Sequence, residues 1–109
     1  MIDHPESTRC LITKLNNALP ISARLTPELQ DVLQHQNAAS TVPAHATVTS
    51  ISYAGDEGGI VCKLDLRPGV DNAAFTSITH LRFDPRLPLA REIAAYQKHR
   101  VKRIQRQHR

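Results

Sequence analysis

The chain has 109 residues, 40% of them apolar and 22% charged, with a net charge of +4 at neutral pH. That length builds a single domain around one core. The composition is that of an ordinary globular protein, and two cysteines far apart (Cys10 and Cys62) exclude a secreted disulfide scaffold and a cysteine metal motif. No N-terminal export stretch and no span long enough to cross a membrane is present, so a cytoplasmic protein is expected. Aromatics are only 4%, with no Trp, two Phe and two Tyr. The core must therefore be aliphatic, and a surface that binds nucleic acid by stacking bases is not expected.

Residues 1–5 read as a loose lead-in. From Glu6 to Leu19 the apolar positions Leu11, Leu15, Ala18 and Leu19 follow a helical stripe, with Ile12 beside them. Pro20 ends that helix, and "PISAR" reads as a short link. Thr26-Pro27-Glu28 is a helix start: a capping hydroxyl, a proline in the first turn and an acid near the positive end of the helix. Leu29, Val32 and Leu33 give this second helix an apolar face as far as about Gln36. The region 6–36 is thus expected to be an αα-hairpin, and "NAASTVPAH" a connector.

After this the hydrophobic period changes to two over 46–83. "ATVTSISYA" is rich in β-branched residues, and "GDEGG" is a turn that lacks the phosphate-loop pattern. "IVCKLDL" alternates, with Ile60, Cys62, Leu64 and Leu66 inward and Val61, Lys63 and Asp65 outward. "RPGVDN" is a second turn. "AAFTSITHLRF" is read as a third strand, with Phe75, Leu81 and Phe83 inward and Ile78, His80 and Arg82 outward. These elements form an antiparallel meander.

The closing segment, 86–109, predicts one long amphipathic helix starting between Pro85 and Pro88. Leu89, Ala90, Ile93, Ala94, Tyr96, Gln97, Val101 and Ile104 fall on one side. Arg91, Lys98, Lys102, Arg106 and Arg109 fall on the other, flanked by Glu92, His99 and Arg103. Arg100 falls within the apolar arc, where its stem can cover apolar surface while its guanidinium reaches water. The resulting fold class is α+β: a two-layer ααβββα domain, its three-stranded antiparallel meander packed by the C-terminal helix. Three strands leave two open edges, so a homodimer by sheet extension is an expected partner arrangement.

Two surfaces carry candidate function. The six cations from Lys98 to Arg109 have no acid among them, so +4 overall leaves −2 for residues 1–97. A ridge of Arg91, Lys98, Lys102, Arg103, Arg106 and Arg109 fits phosphates and fixes position without reading bases, since only Gln105 and Gln107 offer amides there. A membrane surface fits less well, because no Trp or Phe is available for insertion. The second surface is the outward sheet face, where Lys63, Asp65, Thr76, His80 and Arg82 would lie together, as an acid–base site or as cross-strand ion pairs. Val61 and Ile78 on that face would otherwise suit a covering partner. The six histidines show no metal spacing, Cys10 has no adjacent base, and no cofactor or small-molecule motif occurs. The expected function is a non-enzymatic binding domain that meets a nucleic acid through its basic helix. The alternative is a protein-interaction or oligomerisation module joined at a sheet edge or face.

Overall fold

A computed structural model describes residues 3–36, 42–65 and 73–107. Nine elements of regular structure alternate along it: α1 (Pro5–Ala18), β1 (Ile21–Leu25), α2 (Pro27–Gln36), β2 (His45–Tyr53), α3 (Gly55–Gly58), β3 (Ile60–Asp65), β4 (Ala73–Ser77), β5 (Leu81–Arg82) and α4 (Ala90–Gln107), with a 3-10 turn at Ile78–His80. The protein is α+β, but its sheet has five strands rather than three. Residues 1–2, residues 37–41, Leu66, the stretch 67–72 expected as a turn and residues 108–109 lie outside the described residues.

The two extra strands come from the "PISAR" stretch and from the division of "AAFTSITHLRF". "PISAR" is not a link: Ile21, Ala23 and Leu25 point inward while Ser22 and Arg24 face solvent, a clean period of two. The helical hairpin is therefore replaced by helix–strand–helix. "AAFTSITHLRF" is not one strand but two, β4 and β5, broken by the 3-10 turn. The break reverses the inward parity. Register sets Phe75 opposite Lys63 on the outer face, where Phe75 is 67% exposed. Ile78 is fully buried, and Leu81 resumes the inward row. The inward placing of Phe75 and the outward placing of Ile78 are both corrected by this one turn.

The strand order is β4-β3-β2-β1-β5, all antiparallel. Consecutive strands β4 and β5 thus sit on opposite edges of the sheet. Laid flat, those edges would be roughly 19 Å apart at the usual strand spacing. The chain from Ser77 to Leu81, wound as a 3-10 turn, reaches only about 8 Å. The sheet must curl until the end of β4 lies near the start of β5. A β-bulge at Thr49, where the pairing skips from Val48–Leu64 to Ser50–Lys63, supplies local bending in β2.

The core inside the curl is aliphatic: Leu11 and Leu15 of α1, Leu29 and Leu33 of α2, alternating residues of the strands, Ile78, Leu81 and Ile93. Val32 is 53% exposed and is not part of the buried face of α2. Thr26 Oγ1 accepts from Leu29 N and caps α2. Gln34 and Gln30 of the same helix hold Val42, the first through its N–H and the second through its carbonyl.

Helix α4 lies across the seam left by the curl. Gln97 Nε2 donates to Ile78 O at 2.7 Å and to Leu81 O at 2.8 Å, satisfying carbonyls of the 3-10 turn and of edge strand β5. The helix packs on the 3-10 turn and on α1. Its buried side is narrower than the sequence suggests. Ile93, Tyr96 and Arg100 are buried, whereas Ala94 and Val101 are exposed and Ile104 is half-buried. The last two turns therefore run past the final deep contact at Arg100. No helix among the described residues is long and apolar enough to cross a membrane.

Candidate functional site

The orientation of α4, and hence which of its side chains face water, is set by a buried polar cluster. Asp3 and Arg100 are each 2% exposed and form an ion pair, with Arg100 Nη1 3.1 Å from both carboxylate oxygens. Tyr53 and Tyr96 donate their hydroxyls to Asp3 Oδ2 at 2.9 and 2.8 Å, and Ile60 N donates to Tyr96 Oη at 3.1 Å. One carboxylate thus joins the start of the chain, the end of β2 and the closing helix, and Tyr96 extends the link to β3. Desolvation, reinforced by the bond to Asp3, holds the Tyr96 hydroxyl well above the ordinary phenol range. Two sequence expectations are corrected here. Of the stretch 1–5 read as a loose lead-in, the described part, Asp3 to Pro5, is fixed: Asp3 is buried, His4 caps α1 through Ser7 N and Pro5 begins the helix, while residues 1 and 2 lie outside the described residues. The guanidinium of Arg100 does not reach water, because its buried carboxylate partner arrives from the far end of the chain.

With Arg100 turned inward, the outward side of α4 carries Arg91, Lys98, Lys102, Arg103 and Arg106, all exposed. The one acid of the helix, Glu92, is 2.9 Å from Lys14 of α1. None of Arg91, Lys98, Lys102 and Arg106 makes an ion pair with a described residue. Lys98, Lys102 and Arg106 recur every four residues, about 6 Å apart along the axis. Like charges at that spacing oppose one another by a few tenths of a kcal/mol per pair. Arg109 lies outside the described residues.

The sheet-face candidates are not assembled into a site. Lys63 and Asp65 are on β3 and Arg82 is on β5, with β2 and β1 between them on the convex side of the curl. Lys63 is flanked in register by Ser50 and Phe75, and Asp65 by Thr47 and Ala73. Thr76 pairs with buried Cys62, on the inward side. His80 ends the 3-10 turn and is exposed. The strand read as contiguous is broken by the 3-10 turn, so that Lys63 and Asp65 neighbour β4 while Arg82 pairs with Arg24 of β1.

The curl brings together a different set. Arg24 pairs in register with Arg82 on one side and with His45 on the other. All three side chains are exposed on the outer face, in one row across β5, β1 and β2. Neither arginine forms an ion pair with a described residue. Like charges directly opposite on adjacent strands are destabilising. Arg82 Nη1 donates to Leu81 O and Thr79 O, which holds its guanidinium close to the strand. Reading "PISAR" as a link hides this row, because it removes β1 from the sheet. The alternation Ile21, Ala23, Leu25 was the available signal.

Burial pushes the Cys62 thiol up to about 12, so it stays protonated as a core side chain. Cys10 is exposed, at the edge of a groove of about 680 Å³ between α1 and α4 that His4, Glu92, Tyr96 and His99 also line. No group of three or more His, Cys, Asp or Glu able to hold a metal occurs among the described residues. No known family model, curated protein or solved structure matches the chain. A functional reading therefore comes from the chemistry of its surface.

Proposed function

We propose that the protein is a small, non-enzymatic binding domain of the cytoplasm whose α4 ridge contacts the phosphates of a nucleic acid. The observation that carries this reading is the uncompensated charge of α4. Arg100 is neutralised by Asp3 and Glu92 by Lys14, which leaves Arg91, Lys98, Lys102 and Arg106 exposed on the helix with no ion pair to a described residue. Such a surface binds by counterion release, without base readout. The test is fluorescence anisotropy with a short labelled duplex across a salt series, comparing the native chain with a variant carrying Lys98, Lys102, Arg103 and Arg106 all changed to Ala. Affinity of the native chain should fall roughly 10²- to 10³-fold between about 50 and 200 mM salt, and the variant should lose about 3 to 4 from the log–log slope. Equal binding by the two proteins would refute the reading.

A second reading, self-association through a sheet edge, is favoured by β4. This strand ends the sheet, and its sequence, Ala73–Ser77, contains no charge and no proline. Those are the usual devices that keep an edge from pairing. A two-fold pairing of β4 with a second copy, centred on Phe75, would set the two exposed rings opposite each other. Phe75→Lys should then turn a dimer into a monomer in sedimentation equilibrium. A native chain that is already monomeric at high concentration removes this reading.

A further inference from the structure

We infer that the Arg82–Arg24–His45 row on the outer sheet face is a second phosphate-contacting surface, which continues the α4 ridge and holds the same nucleic-acid strand. This rests on the proposal that α4 binds nucleic acid. Three observations carry it. The row sets two guanidiniums and an imidazole side by side in register, exposed and without an acid partner among the described residues. An arrangement of like charges that costs stability in the free protein becomes favourable once a chain of anions lies along it. Second, Arg82 is pre-positioned. Its Nη1 donates hydrogen bonds to two backbone carbonyls, so less side-chain freedom is lost when a phosphate binds its remaining donors. Third, the row adjoins the helix. Gln97 of α4 is bonded to the carbonyl of Leu81, the residue before Arg82. Turning outward from Gln97 around the helix at about 100° per residue leads to Lys98 and then Arg91. The cations of α4 on that flank and the row on β5, β1 and β2 therefore lie on either side of one anchored contact.

The occupant is a polyanion with regularly spaced charges, because a single small anion would engage one surface and leave the other unneutralised. A nucleic-acid strand meets that requirement, with its phosphates fixed at short intervals along one backbone.

The experiment uses the full chain, with single-stranded and duplex forms of one labelled oligonucleotide and an arm of anionic phospholipid vesicles. Arg24→Gln with Arg82→Gln should lower the log–log salt slope by roughly 1.5 to 2, and Arg24→Gln alone by about half of that. The Arg24 side chain makes no hydrogen bond with a described residue, so its variant tests the row even if Arg82→Gln disturbs the edge strand. Lys63→Gln removes one charge from the same outer face away from the row, and should leave the slope unchanged. If the α4 variant loses binding but Arg24→Gln and Arg82→Gln do not, the second surface is refuted while the helix reading stands. If Arg24→Gln and Lys63→Gln weaken binding equally, only net charge matters and the row has no special role. Binding to the vesicles but to neither oligonucleotide overturns both readings.

Discussion

Asp3→Asn is expected to remove about 3–5 kcal/mol of stability, the cost of leaving a buried charge without its partner. The carboxylate has three side-chain donors, Tyr53, Tyr96 and Arg100. Asparagine keeps the shape but withdraws the charge that offsets the guanidinium. A domain of this size has a total stability on the order of 5–15 kcal/mol, so the change should bring the native state near its limit. Urea unfolding measures it as a lower midpoint at unchanged slope. Pairing Asp3→Leu with Arg100→Met removes both charges together and should recover more than half of the loss. A cost below about 1 kcal/mol for Asp3→Asn would mean that Arg100 finds water or another acceptor, and that α4 is not held as described.

The second large effect is expected at Gly59. Its backbone, at φ 63° and ψ −143°, lies close to a region that only glycine occupies readily. A Cβ there would stand 2.6 Å from both Arg100 Nε and Tyr96 Oη. Gly59→Ala therefore adds a displaced ion pair to backbone strain of about 1–3 kcal/mol, and a total of about 3 kcal/mol or more is expected. Gly55 provides the comparison. It has a similar φ of 68°, but a Cβ there meets open space. Gly55→Ala should cost only the strain, about 1–2 kcal/mol. Equal losses at the two glycines would show that the crowding against Arg100 and Tyr96 is not felt. Both glycines sit in the turn between β2 and β3, which ties the geometry of that turn to the seating of the closing helix.

Much of the local structure could be read from the chain, because it follows from short-range rules. The stripe of Leu11 and Leu15, the start at Thr26-Pro27, the alternation of Ile60, Cys62 and Leu64, and the long final helix all match the described elements. What could not be read depends on distant partners. Nothing near Arg100 announces that its counter-charge is Asp3, 97 residues away. The 3-10 turn at Ile78–His80 leaves no proline or glycine in the sequence to mark it, yet it splits one apparent strand and sends its halves to opposite edges. The same turn explains why the expected cluster of Lys63, Asp65, His80 and Arg82 is not formed. It also explains how Arg82 comes to face Arg24, a pairing between residues 58 positions apart. The cationic residues of α4 were legible because a helical period of 3.6 is sufficient to place them. The sheet row needed the strand order.

Nucleic-acid binding by α4 is tested most directly by an amide chemical-shift map of the protein titrated with a short duplex, taken at low salt and again at high salt. Phosphate binding along α4 should shift Arg91 and Lys98–Arg106 at low salt, with the shifts vanishing as salt is raised and with the interior positions Ile93 and Tyr96 and strand β4 little changed. Shifts confined to β4, or none on α4 at low salt, would contradict it.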